Sequence, residues 1–413
     1  MKKVFFKTFG CRTNIFDTQV MINSLKNFEV TDTLEESDYI VVNSCTVTNS
    51  ADTNARQFVH RVSRLYPDKK ILFTGCGIST QGKRLFEKEQ IFTGFGHSEK
   101  EKIEEFLKSP NRRFVVGDLN HLDSKIVDSF IGKSRAFIKI QEGCNFSCSY
   151  CIIPSVRGRS RSYDENRILE QIRRLASNGF GEFILTGTNI GSYGDGRNDL
   201  ARLLKKISQI RGVRRIRLGS VEPSQIGEEF REILQESWLG RYLHIAIQYS
   251  DNRMLKIMNR RNRVERDIEL FHYLSNLGYA LGTDFIVGHP GESEEIFNSA
   301  IANLEKYPLT HIHLFRYSPR EGTTSSKMKP INGAVAQKRY KIVDEIVKSK
   351  RREFIKNISQ PLQVLIETKE KGYYKGYDQY YLPIYIQSGE EIQGEWIEIE
   401  NRDCKREVGD EKV

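Results

Sequence analysis

The 413-residue chain has no apolar run near the roughly 20 residues that span a bilayer, so no membrane partner is expected. It opens Met1-Lys2-Lys3-Val4-Phe5-Phe6, basic and then apolar, but Lys7 ends the run too early for the core of a secretion signal. Cysteine is scarce. Seven residues cannot all pair and are too sparse for a disulfide scaffold, which points to a reducing, cytoplasmic setting. Histidine is missing between His121 and His244, the stretch in which Cys144, Cys148 and Cys151 fall close together. A structural zinc site closes its tetrahedron with a fourth ligand, and none stands near this triad. No low-complexity segment occurs, and no Ser-His-Asp set or carboxylate pair stands out for acid-base work.

What is present is a basic excess, with 64 Lys and Arg against 54 Asp and Glu, a net charge of +10. An anionic partner is expected, and RNA is the natural candidate. At this length two or three domains are expected. The first, residues 1–120, shows a repeated pattern. Lys2 to Phe9, Tyr39 to Asn43 and Ile71 to Gly75 read as strands, each followed at once by a thiol: Cys11, Cys45 and Cys76. Ala55, Phe58, Val59, Val62 and Leu65 have helical spacing between two of them. Alternating β and α segments predict an open parallel sheet, whose ligands bind beyond the carboxyl ends of its strands. The three thiols can converge there.

Residues 110–134 are mixed and polar and read as a linker. From Arg135 a second α/β series begins, with strands near 136–140, 182–187, 213–219, 242–248, 281–287 and 310–316. Six such strands predict a full or partial (βα) barrel over residues 130–357, working at the carboxyl ends of its strands. Ser162-Tyr163-Asp164-Glu165 has the form of a capping box for a helix through Ile168, Ile172 and Leu175, and Ala334 to Lys356 reads as a long basic helix. Beyond Pro361 short β segments separated by Lys371-Gly372 and Ser388-Gly389 predict a small all-β barrel over 358–413.

Soft thiolates select iron-sulfur clusters as well as zinc. The segment Cys144-x3-Cys148-x2-Cys151, with Tyr150 before the last thiol, resembles the radical S-adenosylmethionine signature. The order of three-Cys α/β domain, barrel and small β module is similar to the methylthiotransferases, with a TRAM-like module at the end, and the resemblance covers the whole chain. Asn43-Ser44-Cys45-Thr46-Val47-Thr48-Asn49, Cys151-Ile152-Ile153-Pro154 and Leu218-Gly219-Ser220-Val221-Glu222-Pro223 resemble the branch that acts on N6-threonylcarbamoyladenosine at tRNA position 37. Ser155-Val156, Ile245 to Ser250 and His289 depart from the family wording. The other branches act on isopentenyladenosine in tRNA or on an Asp of a ribosomal protein, and a non-enzyme alternative is an iron-sulfur RNA-binding protein.

The resemblance implies two 4Fe-4S clusters, one on Cys144, Cys148 and Cys151 and an auxiliary one on Cys11, Cys45 and Cys76. It also implies two molecules of S-adenosyl-L-methionine per reaction and a reductant protein of flavodoxin or ferredoxin type. Thr186, Gly187 and Asn189 after the second barrel strand, Glu222 after the third, Gln248 at the fourth and Gly288 after the fifth are expected around S-adenosylmethionine. Arg157, Arg159 and Arg161, just past the thiol loop, are expected to meet the tRNA. Arg211, Arg214, Arg215 and Arg217 form a second basic cluster, with Arg260, Arg261 and Arg263 elsewhere. Residues 358–413 hold 7 Lys and Arg against 12 Asp and Glu, net −5, which leaves +15 on residues 1–357. Six Tyr between Tyr373 and Tyr385 in this acidic module either stack on bases or fill its core.

Overall fold

The computed structural model describes residues 1–47, 49–130, 133–194 and 199–406. Thr48 of the motif after Cys45, the side chain of Asn49 and Gly132 of the expected linker lie outside the described residues. The chain begins with a six-stranded parallel sheet. Its strands are β1 (Lys2–Thr8), β2 (Phe28–Thr31), β3 (Tyr39–Ser44), β4 (Lys70–Gly75), β5 (Thr93–Phe95) and β6 (Arg113–Val115), in the order β2-β1-β3-β4-β5-β6. Strand β3 is buried along its whole length, as expected of a strand covered on both faces. Ile40 and Val42 pack with Ile71, Phe73 and the helix α2 (Asn49–Leu65) through Phe58, Val59 and Val62. Tyr39 and Val41 face the other way, onto Val4, Met21, Leu72 and Phe95.

The stretch 110–134 is no loose linker. It supplies β6 to this sheet, and then Asp123, Val127 and Phe130 are buried. Val127 and Phe130 join the core of the following layer, together with Phe16 and Val20 of helix α1 (Arg12–Ile22). The first sheet and the second unit therefore share a core.

That second unit has six parallel strands: β7 (Arg135–Lys139), β8 (Glu182–Thr186), β9 (Arg215–Leu218), β10 (Tyr242–His244), β11 (Ala280–Val287) and β12 (His311–Arg316). Two three-stranded ladders, β7-β8-β9 and β10-β11-β12, carry most of the pairing. Isolated parallel bridges Ile216–Leu239 and Val221–Ile245 join them. Strand β10 is shorter than its apolar run suggests because the chain turns at Gln248, whose φ is +68°. Among the described residues no pairing joins β12 back to β7, so the barrel is partial. Helix α3 (Glu165–Ser177) covers its outside through Ile168, Leu169, Ile172 and Leu175. Its N-cap is Asp164, which accepts from the Arg167 N–H at 3.0 Å, rather than Ser162. Ser162 instead pairs with Gln141 in a two-residue ribbon. The basic helix α4 (Gly333–Lys356) starts from Asn332, whose Oδ1 accepts from the Ala334 N–H at 2.8 Å.

The C-terminal unit is a four-stranded antiparallel sheet of β13 (Leu362–Glu370), β14 (Tyr373–Tyr377), β15 (Pro383–Ile386) and β16 (Trp396–Ile399), ordered β15-β14-β13-β16. It docks at the amino ends of the barrel strands, and arginines make the joint. Arg135 holds Glu367 at 3.0 and 2.8 Å, Arg215 donates to Gln363 O at 2.6 Å, and Arg217 donates to Asp378 O. Arg215 and Arg217 also pair with buried Glu182. These two arginines thus leave the exposed basic cluster expected for RNA and serve an internal interface with the acidic sheet. Tyr374 and Tyr380 are buried in the core of that sheet. The Tyr381 ring lies 5.0 to 5.3 Å from the guanidinium groups of Arg12, Arg135 and Arg217 and stacks on Tyr242. Among the described residues no helix is long and apolar enough to cross a membrane.

Candidate active site: two thiol triads on one charged seam

Each N-terminal thiol stands just past a strand. Cys11 precedes α1, Cys45 follows β3 and Cys76 follows β4. Because β1, β3 and β4 are immediate neighbours, three thiols far apart in sequence meet at one edge of the sheet. Gly10 makes the close approach possible. Its φ is +93°, and a Cβ there would fall 2.6 Å from Cys45 Sγ, so only glycine fits. Burial pushes the Cys45 thiol up to about 12, and its neighbours Cys76 and Cys11 add to the rise. Burial also raises Cys76, against the pull of Arg157. Such thiols keep their protons until a metal displaces them.

The second triad occupies the loop after β7. Cys144 Sγ accepts from the Phe146 N–H at 3.4 Å and lies 3.9 Å from Asn189 Nδ2, while Cys148 Sγ lies 3.8 Å from Arg260 Nη1. Burial pushes Cys151 up to about 12 and raises Cys144. The loop is pinned from several sides. Gln141 donates to Gly143 O at 2.7 Å and to Ser160 Oγ at 3.0 Å, and its Oε1 accepts from the Asn189 N–H at 2.8 Å. Ser149 donates its N–H to Met258 O at 3.0 Å. Tyr150 is half-buried and meets His289 edge-on at 6.2 Å.

Both triads offer soft thiolates, the donor set of iron-sulfur clusters or of thiolate zinc. Among the described residues neither triad has all its sulfurs within 4.8 Å of one another. A single zinc ion bound at about 2.3 Å gathers its thiolates to within about 4 Å of each other. The thiolate donor set suits an iron-sulfur cluster.

Beside Cys76 runs a buried charged seam whose members follow no period along the chain. Lys139, at the end of β7 and fully buried, contacts Asp123 and Glu142 at 2.8 Å each and also Asp17. Lys100 bridges Asp17 at 2.7 Å and Asp123 at 3.0 Å. The nearby lysines and Arg157 hold the Asp17 carboxyl well below the usual range despite its burial. Arg157 belongs to this seam, not to the surface. It is 2 % exposed, its Nε donates to Cys76 Sγ at 3.2 Å, and its Nη groups reach Asp17 at 2.9 Å, Glu142 and Asn14. The expectation that Arg157 meets tRNA is therefore corrected: the guanidinium is buried and spends four of its five N–H groups inside the protein. Arg161 likewise spends its donors on His121 O, Arg157 O and Arg159 O. Of the three arginines only Arg159 is exposed.

The residues expected around S-adenosylmethionine fall at the carboxyl ends of the barrel strands. Thr186 Oγ1 lies 3.5 Å from Thr13 Oγ1 of α1. Gly187 passes against Gln141 O, and Asn189 Oδ1 accepts from Gln225 at 2.9 Å. Glu222 is held two-pronged by Arg260, with Nη1 at 2.8 Å. A cleft of about 100 Å³ lined by Phe146, Ser147, Cys148, Glu222 and Arg260 opens beside the loop. Gln248 turns its Nε2 to Asp284 at 3.4 Å. Gly288 stands farther back, its N–H taken by Glu292 at 2.6 Å. His289 is satisfied on both nitrogens, by Pro290 O at 2.7 Å and Ser325 Oγ at 2.8 Å, as expected of a loop histidine without a ligand role. The wider cleft of about 630 Å³ between Arg173, Lys206 and Gly212 lies at the amino ends of the strands, away from the thiols.

Comparison with known proteins agrees with this geometry. Residues 138–303 match the family model of the radical SAM superfamily, and residues 3–95 match the uncharacterized protein family UPF0004. A Helicobacter pylori (strain J99) protein provisionally named a methylthiotransferase is 50% identical over 412 residues, 98% of each chain. The threonylcarbamoyladenosine tRNA methylthiotransferase MtaB of Aquifex aeolicus is 34% identical over 379 residues, 88% of this chain and 92% of that protein. Among solved structures, the radical S-adenosylmethionine methyltransferase TsrM of Kitasatospora setae superposes with a TM-score of 0.57 at 15% identity, covering 79% of this chain and 77% of that one. Partial barrel and thiol loop together define a radical S-adenosylmethionine enzyme, which works with a 4Fe-4S cluster and S-adenosylmethionine. The chain belongs to the tRNA-modifying methylthiotransferase family, of the MtaB type.

Proposed function

We propose that this enzyme methylthiolates C2 of N6-threonylcarbamoyladenosine at tRNA position 37, with two S-adenosylmethionine molecules and two 4Fe-4S clusters. The observation that carries this reading is the presence of two thiol triads, with Arg157 donating to Cys76 of one and pairing with Glu142, two residues before Cys144 of the other. Cys144, Cys148 and Cys151 would hold one cluster and Cys11, Cys45 and Cys76 the other. When bound, the first supplies the electron that cleaves S-adenosylmethionine, and the second supplies the sulfur chemistry. The protein's own part is positional. Gln141 and Asn189 fix the first loop, Arg260 fixes Glu222 beside Cys148, and the buried seam excludes water beside Cys76. Thr186, Gly187, Asn189, Glu222, Gln248 and Gly288, at or just past the carboxyl ends of the barrel strands, are the residues assigned to S-adenosylmethionine in this reading.

The wording after Cys45 and the resemblance to MtaB support the threonylcarbamoyladenosine substrate over isopentenyladenosine or a ribosomal-protein Asp. Exposed Arg159, just past the thiol loop, is the arginine this reading assigns to tRNA phosphate. A flavodoxin- or ferredoxin-type reductant and a cytoplasmic setting complete the reading, with residues 1–120, 130–357 and 358–413 as its three domains. The test is anaerobic turnover with tRNA carrying either modified adenosine, followed by nucleoside mass spectrometry. The 2-methylthio product should form on threonylcarbamoyladenosine, and preferential reaction of isopentenyladenosine tRNA would overturn the substrate assignment. A Cys11/Cys45/Cys76 triple Ala variant should still release 5′-deoxyadenosine yet transfer no methylthio group; transfer by that variant would remove the role given to the N-terminal triad.

A further inference from the structure

The N-terminal triad is enclosed by more than its own sheet. Two buried arginines, both contributed by the barrel unit, stand against it. Arg157 reaches Cys76 directly through Nε at 3.2 Å. Arg320, in the loop after β12, approaches from the Cys45 side: its Nη1 lies 3.7 Å from Asp52, which sits on α2 just past Cys45. Asp52 is itself held by Gln81 Nε2 at 2.7 Å. Arg320 feels the charge of Cys45 as well as that of Asp52.

What sets Arg320 apart is the edge it leaves over. Its side chain is 8% exposed, and among the described residues its Nε and Nη2 are buried with no acceptor. Those two atoms form one edge of the guanidinium, the pair of parallel N–H groups that meets an anion two-pronged. A buried unpaired donor costs about 1–3 kcal/mol, and more when it is charged. One carboxylate at 3.7 Å leaves most of that unmet. The acceptor within electrostatic reach on the same side is the thiol triad. Arg157 shows the same logic already realised, with a guanidinium N–H on a ligand sulfur.

We propose that Arg157 and Arg320 are positioning residues that clamp the auxiliary cluster from two sides, donating to its sulfurs and raising its reduction potential. This rests on the two-cluster reading above. A cluster held by three thiolates gains negative charge on taking up one electron, with no bond made or broken and no proton moved. Two buried guanidinium groups beside the site stabilise the reduced form more than the oxidised one. It follows that the auxiliary site is completed by the barrel: the N-terminal sheet brings the ligands, and the barrel brings the charge that balances them.

The experiment uses the full-length chain with Cys144, Cys148 and Cys151 all replaced by Ala, so that only the auxiliary cluster is loaded. Iron content and a dithionite titration followed by electron paramagnetic resonance are measured with and without Arg157→Gln, Arg320→Gln and the matching Lys changes. Each Gln variant should shift the one-electron equilibrium at least about tenfold toward the oxidised cluster, a fall of about 59 mV. Each Lys variant, which keeps the charge, should recover part of the shift. Arg157→Gln strands buried Asp17 and Glu142; should it fail to fold, Arg320→Gln, which strands only Asp52, carries the test alone. An unchanged midpoint with a full complement of auxiliary iron would overturn the clamp and leave the two-cluster reading intact. Absence of iron in the parent triple variant would overturn both.

Discussion

At the scale of single residues, Gly10 packs against Cys45 of one thiol triad and His289 meets Tyr150 in the loop of the other. Gly10→Ala forces a Cβ into Cys45 and a left-handed φ onto an L residue. Anaerobic reconstitution should then lose the iron bound at the N-terminal triad while keeping that of the barrel loop, as iron analysis would show. His289 is buried, and burial lowers its pKa from 6.5 to about 4. A histidine depressed in this way binds fewer protons folded than unfolded between those values. Its share of stability is therefore fully present above pH 6.5 and is lost as pH falls toward 4. Thermal unfolding of the metal-free protein should show this acid slope, and His289→Phe should flatten it. The two thiol triads were legible in the sequence from their spacing and from their position after strands. Arg157 was not: an arginine two residues from Arg159 reads as surface charge until the fold shows that it points inward.

At the scale of elements, local rules worked where the apolar pattern repeats and failed where polar groups decide. The three strand-then-Cys repeats and the six barrel strands follow from runs such as Tyr39 to Val42. The cap of α3 was misplaced by two residues because Ser162 and Asp164 are both good caps, and ribbon pairing with Gln141 removes Ser162 from the contest. Asp164→Ala should lower the unfolding free energy by about 1 kcal/mol, read from a denaturant midpoint at constant m-value. The seam was invisible because its members, Asp17, Lys100, Asp123, Lys139 and Glu142, come from separate elements and obey no period. Such buried pairs add little net stability, yet breaking one is costly. Lys139→Ala leaves three carboxylates facing one another without their central cation. The loss should be about 3–5 kcal/mol, visible as a large drop in Tm.

At the scale of the whole molecule, the acidic C-terminal sheet is tied to the barrel by Arg135, Arg215 and Arg217, so its negative charge is partly cancelled from within. Tyr381 carries this tie further, since Arg12, the residue next to Cys11, also rests on its ring. The aromatic side chain brings together the first sheet, the barrel and the last sheet. This arrangement bears on the order of events during synthesis. The thiols of the N-terminal triad leave the ribosome first, but Arg157, Arg320 and finally Tyr381 arrive only as the rest of the chain emerges. On the two-cluster proposal, the early thiols are expected to stay reduced and empty until translation is nearly complete. A nascent chain stalled short of residue 358 should then fail to retain iron at Cys11, Cys45 and Cys76, whereas the same chain after release should take it up. Cofactor insertion at this site would in that case follow translation, timed by the far end of the polypeptide.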